Sequence, residues 1–426
     1  MAELEALGYY HSIELPDGAV LQGLQSLDHL HLRISQFPIP ADIRGKRVLD
    51  IGAWDGWFSF EMERRGAQVM AIDLVKSENF VRLRELMKSK VEYVVGDICR
   101  LTSRDLGRFD IVLFFGVLYH LKHPLLALEH VCEMTLDMAC IESYVIDRGE
   151  NLDTVPVLEF YEGTELRGQF DNWVGPNVPC LLAMARTAGF VEVELESVLA
   201  ERAHVTCRRH WSAPPGTAPG PLLLFVENAV SRDHHFSAAE DHYVSLWFTI
   251  EHSALNIGEV FAEIGGFAAG AVQIISQGKD GWQSVCKLPP GLNPGWHDVR
   301  VRVADSDYSN PVRIPVDLSL AEITGSVCVK IHLVTDGKTW DRWKVNLGVG
   351  ACLSLWAEGI PLGCTCATLR VMVGDTAIPA VYLSPIDPDG LRQVNAMLPS
   401  GLRPGTVSLQ LQYWGVSSEP VEVALV

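Results

Sequence analysis

Three apolar segments in the first hundred residues each carry an aspartate at or near their end: Asp50, Asp73 and Asp97. Short apolar segments bounded by turn residues are typical of buried strands in a parallel sheet. The carboxyl ends of parallel strands meet at one edge of the sheet, where open α/β folds bind ligands. Carboxylates at that edge can accept hydrogen bonds from the hydroxyl and amine groups of a ligand.

A glycine loop follows the first of these aspartates. Gly52 and Gly56 flank Trp54, and the pattern predicts a strand, a tight turn and a helix with Asp55 as its N-cap. A phosphate-binding P-loop requires a lysine directly after its last glycine, and this loop has none. A dinucleotide fingerprint needs glycine where Trp54 stands, and the carboxylates of Asp50 and Asp55 would repel a pyrophosphate. S-adenosylmethionine, which is cationic and carries no phosphate, suits these surroundings better.

The spacing of the other two aspartates agrees with this cofactor. Asp73 follows Asp50 by 23 residues, a separation at which a carboxylate reaches ribose hydroxyls. Asp97 can accept a hydrogen bond from an adenine amine. A single acidic residue after a strand is more often a turn or cap residue, but three in register after consecutive strands favour a ligand site.

Several segments together resemble class I S-adenosylmethionine-dependent methyltransferases; they are residues 48–56, 71–73, 96–98 and 109–120. Residues 116–120, with 10–18 and 172–177, are similar to the branch that contains the tRNA wobble-uridine carboxymethyltransferases. The resemblance covers roughly residues 8–210 and implies an α/β fold with a Rossmann-like, seven-stranded sheet. Trp54 departs from the usual glycine loop of the superfamily.

The resemblance also implies which residues hold the cofactor. The predicted set for S-adenosyl-L-methionine comprises Asp50, Gly52, Trp54, Asp55, Gly56, Asp73, Leu74, Asp97, Ile98, Phe115, Gly116 and Tyr119. The tRNA enzymes of the branch transfer a carboxymethyl group and need cationic residues for its carboxylate. No such residues can be placed from this sequence, which favours ordinary methyl transfer.

Residues near the expected methyl position are the candidates for catalysis. Methyl transfer is an in-line displacement that depends on positioning, and it needs a base only when the acceptor must lose a proton. His120 is the first candidate base and His11 the second, since the reference pKa of histidine lies near neutrality; Tyr119 can hydrogen-bond the cofactor or acceptor. The predicted acceptor site consists of Tyr10, His11, Trp173 and Asn177. Each of these residues has a structural alternative, such as a helix start or an aromatic contact that holds the N-terminal arm.

Composition narrows the class of protein and its partners. The chain has 426 residues and a formal net charge of −19, which disfavours nucleic acid as a partner without excluding it. No apolar run approaches the roughly 18 residues of a membrane span, and no signal peptide is visible. Ten scattered cysteines fit buried thiols better than a metal site or disulfides. We therefore expect a cytoplasmic protein without a metal, of undetermined oligomeric state.

Periodicity divides the chain into four parts. Residues 1–210 alternate strands and helices, residues 211–221 form a Pro/Gly linker, and residues 222–318 and 319–426 carry only strand patterns. In the first part we predict strands at 46–51, 68–73, 91–95, 109–115, 138–145, 191–198 and 203–210, and helices at 25–37, 55–65, 77–89, 124–134 and 179–188. Residues 146–175 are predicted to form an irregular insertion.

The last two parts contain an internal repeat. Ser245-Leu246-Trp247 recurs 109 residues later as Ser354-Leu355-Trp356, and residues 288–295 recur as 398–405. We predict two homologous β-sandwich domains that resemble bacterial immunoglobulin-like repeats.

Three hypotheses about function follow. The first is a methyltransferase that acts on a hydroxyl or amine of a small molecule or saccharide, with the sandwiches serving binding or assembly. The second is a tRNA wobble-uridine (carboxy)methyltransferase. The third is a non-enzymatic binding protein with a nucleotide-binding domain, which the set Asp50, Gly52, Gly56, Asp73 and Asp97 disfavours.

Overall fold

The computed structural model describes residues 8–146, 154–233, 235–278, 280–319, 322, 329–360, 364–366, 368–413 and 416–426. Part of the predicted insertion, residues 147–153, lies outside this range. The chain divides into two compact units, Met1–Ser212 and Ala213–Val426. No helix in the described part of the chain is both long and apolar enough to cross a membrane.

The first unit alternates strands and helices. Its helices are α1 (Leu27–Ile34), α2 (Trp57–Arg64), α3 (Glu78–Leu86), α4 (Ser103–Leu106), α5 (Pro124–Met134) and α6 (Val178–Ala188). Its strands are β1 (Tyr9–His11), β2 (Ile13–Glu14), β3 (Val20–Leu21), β4 (Gly23–Gln25), β5 (Arg47–Ile51), β6 (Gln68–Asp73), β7 (Glu92–Val95), β8 (Phe109–Phe115), β9 (Thr135–Tyr144), β10 (Leu158–Phe160), β11 (Val174–Pro176), β12 (Glu192–Leu199) and β13 (Arg202–Arg208).

Seven of these strands form one sheet in the order β12-β13-β9-β8-β5-β6-β7. The strands from β7 to β9 run parallel, and β13 and β12 add an antiparallel edge. β8 is buried along almost its whole length because apolar layers cover both faces of the sheet. The predicted α/β architecture of this half is confirmed.

The order of the strands reverses between β5 and β8, and the loops after these two strands approach each other closely. Gly52 follows β5 with φ 75°, and a Cβ added there would lie 2.4 Å from Cγ2 of Val117. Only glycine fits both the left-handed backbone and this contact. In open α/β sheets the crevice at such a reversal is the usual ligand site.

Three local predictions were wrong. The insertion predicted to be irregular at 146–175 contains the antiparallel pair β10 and β11. The helix predicted from residue 25 begins at Leu27, and the residues before it form the short strands β1 to β4, which pair as β1 with β4 and β2 with β3. Strands of two or three residues carry no recognisable period, so the pattern could not reveal them. The N-cap of α2 is Gly56, with φ 90° and no side-chain cap, instead of Asp55.

The second unit is built almost entirely from strands. Its first module contains β14 (Leu222–Asn228), β15 (Tyr243–Thr249), β16 (Val260–Ile264), β17 (Phe267–Ser276), β18 (Gly281–Lys287), β19 (Gly295–Val303) and β20 (Val312–Val316). Its second module contains β21 (Lys330–Asp336), β22 (Lys344–Val345), β23 (Cys352–Glu358), β24 (Leu369–Val373), β25 (Thr376–Leu383), β26 (Leu391–Met397), β27 (Gly405–Tyr413), β28 (Val416–Ser417) and β29 (Val421–Leu425). The predicted β character of this half is confirmed.

The two modules share one strand order. The first runs β14-β15-β18-β17-β16-β19-β20, and the second runs β21-β23-β26-β25-β24-β27-β29, with β22 at its edge. Each module encloses its own apolar core. A serine after the sixth shared strand makes the same contacts in both: Ser309 accepts from the N–H of Val301 at 3.0 Å, and Ser418 accepts from that of Leu411 at 2.9 Å.

Candidate functional site

The carboxylate of Asp50 is buried at the end of β5, beside the glycine loop. Its side chain is 2% exposed and accepts a 2.6 Å hydrogen bond from the hydroxyl of Ser59. Burial raises the pKa of Asp50 to about 6, since a charged carboxylate loses hydration inside the sheet edge. A cationic ligand beside this carboxylate would favour its charged form.

Asp73, at the end of β6, holds the backbone of the glycine loop. Its Oδ2 accepts a hydrogen bond from the N–H of Trp54 at 2.9 Å, and its Oδ1 accepts one from the N–H of Leu74 at 2.8 Å. Burial raises the pKa of this carboxyl as well. Trp54 has φ 52° and a half-exposed side chain, so the loop presents an aromatic ring to solvent at the sheet edge.

The remaining predicted cofactor residues lie at the same edge of the sheet. Asp97 follows β7 and accepts a 2.9 Å hydrogen bond from the N–H of Cys99. Ile98 and Phe115 are buried, whereas Leu74 is exposed. Gly116 follows β8 and has φ 73°. These positions therefore lie at the carboxyl ends of the neighbouring strands β7, β6, β5 and β8.

Asp55 holds the N-terminal arm, residues 8–25. Its Oδ2 accepts hydrogen bonds from the N–H groups of Tyr10 at 2.6 Å and His11 at 3.1 Å. Its Oδ1 accepts one from the amide of Asn79 at 3.0 Å. The carboxylate is 1% exposed. Asp55 therefore couples the arm to the glycine loop, a role that replaces the predicted helix cap.

A cluster of polar side chains surrounds Gly116 on the other side of the site. An added Cβ on Gly116 would lie 3.4 Å from the phenol oxygen of Tyr119, 3.7 Å from Nη1 of Arg202 and 3.9 Å from Oε2 of Glu142. The backbone directly after β8 therefore lies within contact distance of all three groups. Burial raises the pKa of the Tyr119 phenol, so the phenol stays protonated near neutral pH.

Glu142 carries the negative charge of this cluster. Its carboxylate is 2% exposed, pairs with Nη2 of Arg33 at 2.5 Å and lies 3.5 Å from Nη1 of Arg202. Arg33 comes from α1 and also donates a 2.7 Å hydrogen bond to Oε1 of Gln25. Two guanidinium groups therefore face one carboxylate, and the cluster retains a net positive charge.

His11 lies in the same buried region. It is 4% exposed, packs edge-on against Phe58 at a centroid distance of 5.7 Å, and its Nδ1 has no hydrogen-bond partner. Burial, together with the positive charge of Arg33, lowers the pKa of His11 to about 3. A group this reluctant to bind a proton is a weak general base at neutral pH, so the structure argues against a basic role for His11.

His120 is positioned differently. It ends the short 3-10 helix Leu118–His120, and its Nδ1 lies 2.9 Å from the carbonyl oxygen of Asp171. The carboxylate of Asp171 lies 3.7 Å away. A donated Nδ1–H leaves Nε2 as the proton acceptor. The ring is about one-third exposed, which leaves it accessible to a ligand.

The two residues predicted from the insertion differ in their surroundings. The N–H of Trp173 donates to the carbonyl of Tyr119 at 2.8 Å, and Nζ of Lys122 lies 4.1 Å from the centroid of its ring. Asn177 is the N-cap of α6: its Oδ1 accepts from the N–H groups of Cys180 and Val157 at 3.0 Å, and its Nδ2 donates to the carbonyl of Val155. These backbone contacts give Asn177 a structural role, and we omit it from the proposed acceptor site.

Sequence reasoning missed the two arginines that the fold brings to Glu142. Arg33 lies on α1, and Arg202 lies at the start of β13. Both are separated from Glu142 by long stretches of chain, and only the pairing of β13 with β9 brings Arg202 beside it. Among the described residues, no group of three or more His, Cys, Asp or Glu side chains could hold a metal ion.

Comparisons with known proteins give matches to methyltransferases. Residues 22–164 match the family model described as "Methyltransferase domain". The chain is 30% identical over 168 residues to the tRNA U34 carboxymethyltransferase of Pseudomonas putida (strain GB-1), which covers 37% of this chain and 49% of that protein. It is 35% identical over 130 residues to the ubiquinone biosynthesis O-methyltransferase of Xanthomonas oryzae pv. oryzae (strain PXO99A), covering 28% of this chain and 54% of that protein.

The chain matches this methyltransferase domain model over about a third of its length. It spans about half the length of the curated relatives it matches. Among solved structures, it is similar to the N-terminal domain of EvdMO1 with SAH bound, at 24% identity and a TM-score of 0.38, covering 49% of this chain and 93% of that one. The prediction of a methyltransferase domain is confirmed for residues 22–164.

The methyltransferase model extends over only part of the candidate site. The matched residues 22–164 include every predicted cofactor residue, from Asp50 to Tyr119, and also His120, Glu142 and Arg33. Tyr10, His11, Trp173 and Arg202 lie outside the matched range.

Proposed function

We propose that the first unit transfers a methyl group from S-adenosylmethionine to a hydroxyl or amine of a small molecule or saccharide. The observation that carries this proposal is the cluster of Tyr119, Arg202 and Glu142 around Gly116, directly after the central strand β8. The cofactor would lie along Asp50, Asp73 and Asp97, so that its methyl group faces this cluster. Positioning of the acceptor against the methyl group supplies most of the rate in such a displacement.

The cluster suits an acceptor that must lose a proton before it attacks the methyl group. Two guanidinium groups and one carboxylate leave a positive charge near Gly116, which stabilises an oxygen or nitrogen that loses its proton. His120 is the proposed base, since its ring is partly exposed and oriented by Asp171. Tyr10 and Trp173 complete the proposed acceptor site.

Calorimetric titration tests the cofactor site first. We expect S-adenosylmethionine to bind the full chain with micromolar affinity and Asp73→Ala to weaken binding by about tenfold or more, because ribose contacts and loop support are both lost. Asp42→Ala, which alters an exposed aspartate paired with Arg44, should bind as the unaltered protein does. Failure of the unaltered protein to bind would contradict the proposal and favour a non-enzymatic role.

Carboxymethyl transfer is the second candidate, favoured by the similarity to a tRNA U34 carboxymethyltransferase. Arg202 offers a cation near Gly116 that can pair with the carboxylate of the carboxylated cofactor. Glu142 already balances part of this charge, and the net charge of −19 disfavours tRNA. Parallel titrations with S-adenosylmethionine and its carboxylated form discriminate between the two, and salt-dependent binding of tRNA would favour the second.

We further propose that residues 222–318 and 319–426 are two immunoglobulin-like sandwiches that bind a ligand or partner. Their shared strand order and matching serine contacts support a common origin.

We also propose a cytoplasmic location, because the nine cysteines that the structure describes are all free thiols. Methylation of a small-molecule panel, scored by formation of S-adenosylhomocysteine, would identify the acceptor.

A further inference from the structure

Corresponding sheet faces of the two β modules differ in what covers them. In the first module Phe225 and Trp247 stack at a centroid distance of 5.1 Å, and the guanidinium of Arg370 from the second module lies 3.9 Å from the ring centroid of Phe225. Glu227 accepts a 3.2 Å hydrogen bond from the indole of Trp247. This face is therefore charged and filled by the other module.

Strand register identifies the corresponding positions of the second module. We use the word row for a set of residues that lie opposite one another on neighbouring strands. Trp247 lies opposite Gln283, and its counterpart Trp356 lies opposite Gln393. The adjacent row of the second module contains Thr335, Ser354, Asn395 and Tyr382. We call Leu333, Trp356, Gln393 and this adjacent row the outer face of the second module. Thr335 and Ser354 are buried in it, so Asn395 and Tyr382 are the accessible members of the adjacent row.

Substitutions between the modules remove the charge from this face. Thr335 stands where the first module has Glu227, and Asn395 stands where it has Val285. No residue in the two rows carries a charge at neutral pH. Arg370 covers the face of the first module, where Glu227 supplies a carboxylate. The two rows of the second module contain no carboxylate to pair with an arginine, so we expect a different kind of group to bind there.

The second module adds an aromatic ring above this face. Trp340 lies 6.1 Å from Trp356 between ring centroids, with planes inclined by 38°, and it is 59% exposed. Its backbone is left-handed, with φ 64°, as is that of Trp343 with φ 58°. Such conformations are costly for bulky residues and occur preferentially at ligand sites. Tyr382 is also exposed.

We propose that the outer face of the second module, with Trp340, binds a neutral saccharide. The apolar face of a sugar ring can stack on the indoles of Trp340 and Trp356, as other rings do. Its hydroxyls can exchange hydrogen bonds with the amides of Gln393 and Asn395 and with the phenol of Tyr382. The absence of charge from the two rows favours neutral sugars over acidic or basic ones. This binding does not depend on methyl transfer.

Titration of the full chain with neutral oligosaccharides tests the proposal. Cellohexaose, maltohexaose, mannohexaose and chitohexaose serve as probes, with S-adenosylhomocysteine present in excess. We expect saturable binding of at least one probe with a change in tryptophan fluorescence, and a Kd about tenfold or more higher in Trp340→Ala and Trp356→Ala. Asn395→Ala and Gln393→Ala test the polar contacts without removing a ring.

Trp343→Ala is the matched control. Trp343 is 38% exposed with φ 58°, so it shares partial exposure and a left-handed backbone with Trp340, but it belongs to neither row of the outer face. We expect its removal to leave saccharide binding unchanged. The proposal is overturned if none of the four probes binds, or if all four variants of the outer face bind as tightly as the unaltered chain. It is also overturned if sedimentation shows that Trp340→Ala abolishes self-association, which would make the face a protein interface.

Discussion

The phenol oxygen of Tyr119 accepts a hydrogen bond from Nη1 of Arg202 at 2.9 Å. The two residues come from the loop after β8 and from β13, and the guanidinium also stands 4.9 Å from the centroid of the Tyr119 ring. Glu142 holds Arg202 from the other side. These three residues form a cluster whose members depend on one another, and in our proposal this cluster lines the acceptor side of the site.

Removal of the central carboxylate should destabilise the first unit. Glu142→Gln leaves the guanidinium groups of Arg33 and Arg202 without their counter-ion, and we expect a loss of about 3 kcal/mol in the free energy of unfolding. The effect is measured in the full chain by urea unfolding, with hydrogen exchange of peptides from β8 and β9 as the readout.

Glu201→Gln is the control for this change. Glu201 pairs with Arg167 at 2.7 Å, but both side chains are more than half exposed. An ion pair of this kind contributes ~0–1 kcal/mol. Equal effects of the two substitutions would show that the cluster around Glu142 is not an electrostatic unit.

Asp50 should make the stability of the unbound protein fall as pH rises. Its pKa is about 6 in the folded protein against 3.8 for an ordinary aspartate, so the folded state binds this proton more tightly than the unfolded chain does. The stabilisation that protonated Asp50 gives the folded state is therefore complete below pH 3.8, and it is lost as pH rises through about 6.

Asp50→Asn isolates this effect. The amide oxygen can still accept the hydrogen bond from Ser59, but it carries no charge. We expect the variant to be more stable than the unaltered protein by up to about 3 kcal/mol at pH 7 and 8, and equally stable near pH 3.8. Unfolding of both proteins across this range, with S-adenosylmethionine absent, measures the difference. A constant difference at all pH values would rule out the raised pKa.

Strand and helix positions in the centre of the first unit could be predicted from sequence. β6 and β8 coincide with the predicted strands, and α5 with the predicted helix. β8 is almost continuously apolar because both its faces are covered, and Pro124 begins α5 where its missing N–H costs nothing. These features are local, so one segment is enough to recognise them.

The acceptor side could be predicted only in part. Tyr119 and His120 follow from the loop after β8, but the burial of His11 and the pairing of Arg33 and Arg202 with Glu142 result from contacts between distant segments. An arginine in sequence looks the same whether it faces water or a buried carboxylate. The contrast between His11 and His120 as bases likewise required knowledge of burial.

The hydrogen bonds of Asp55 should control the mobility of the N-terminal arm. Asp55→Ala removes the acceptor of the Tyr10 and His11 N–H groups, and each buried donor left unpaired costs about 1–3 kcal/mol. We therefore expect cleavage within residues 8–25 to become at least about tenfold faster in limited proteolysis.

Asp17→Ala serves as the comparison for that experiment. Asp17 lies in the same arm, but its exposed carboxylate accepts only a local hydrogen bond from the N–H of Ala19 at 3.0 Å. Its removal should change the cleavage rate little. If the arm of Asp55→Ala is cleaved as slowly as that of the unaltered chain, other contacts hold the arm in place.

Gly52 and Val117 should be energetically coupled across the loops at the strand reversal. Gly52→Ala places a Cβ on a left-handed backbone, which costs about 1 kcal/mol. The same Cβ would lie 2.4 Å from Cγ2 of Val117. The β-branched valine cannot rotate away freely, so we expect a further loss of about 1–3 kcal/mol from overpacking. Gly18→Ala, with φ 82° and no atom near the added Cβ, should show only the backbone cost.

The double variant Gly52→Ala with Val117→Ala tests the coupling directly. Truncation of Val117 removes the atom that the new methyl group meets, so the double variant should be more stable than the sum of the two single losses by at least about 1 kcal/mol. We also expect it to recover part of the affinity for S-adenosylmethionine that Gly52→Ala loses, because the loop can return to its position beside Asp50. Strict additivity in both stability and cofactor affinity would show that the two loops adjust independently.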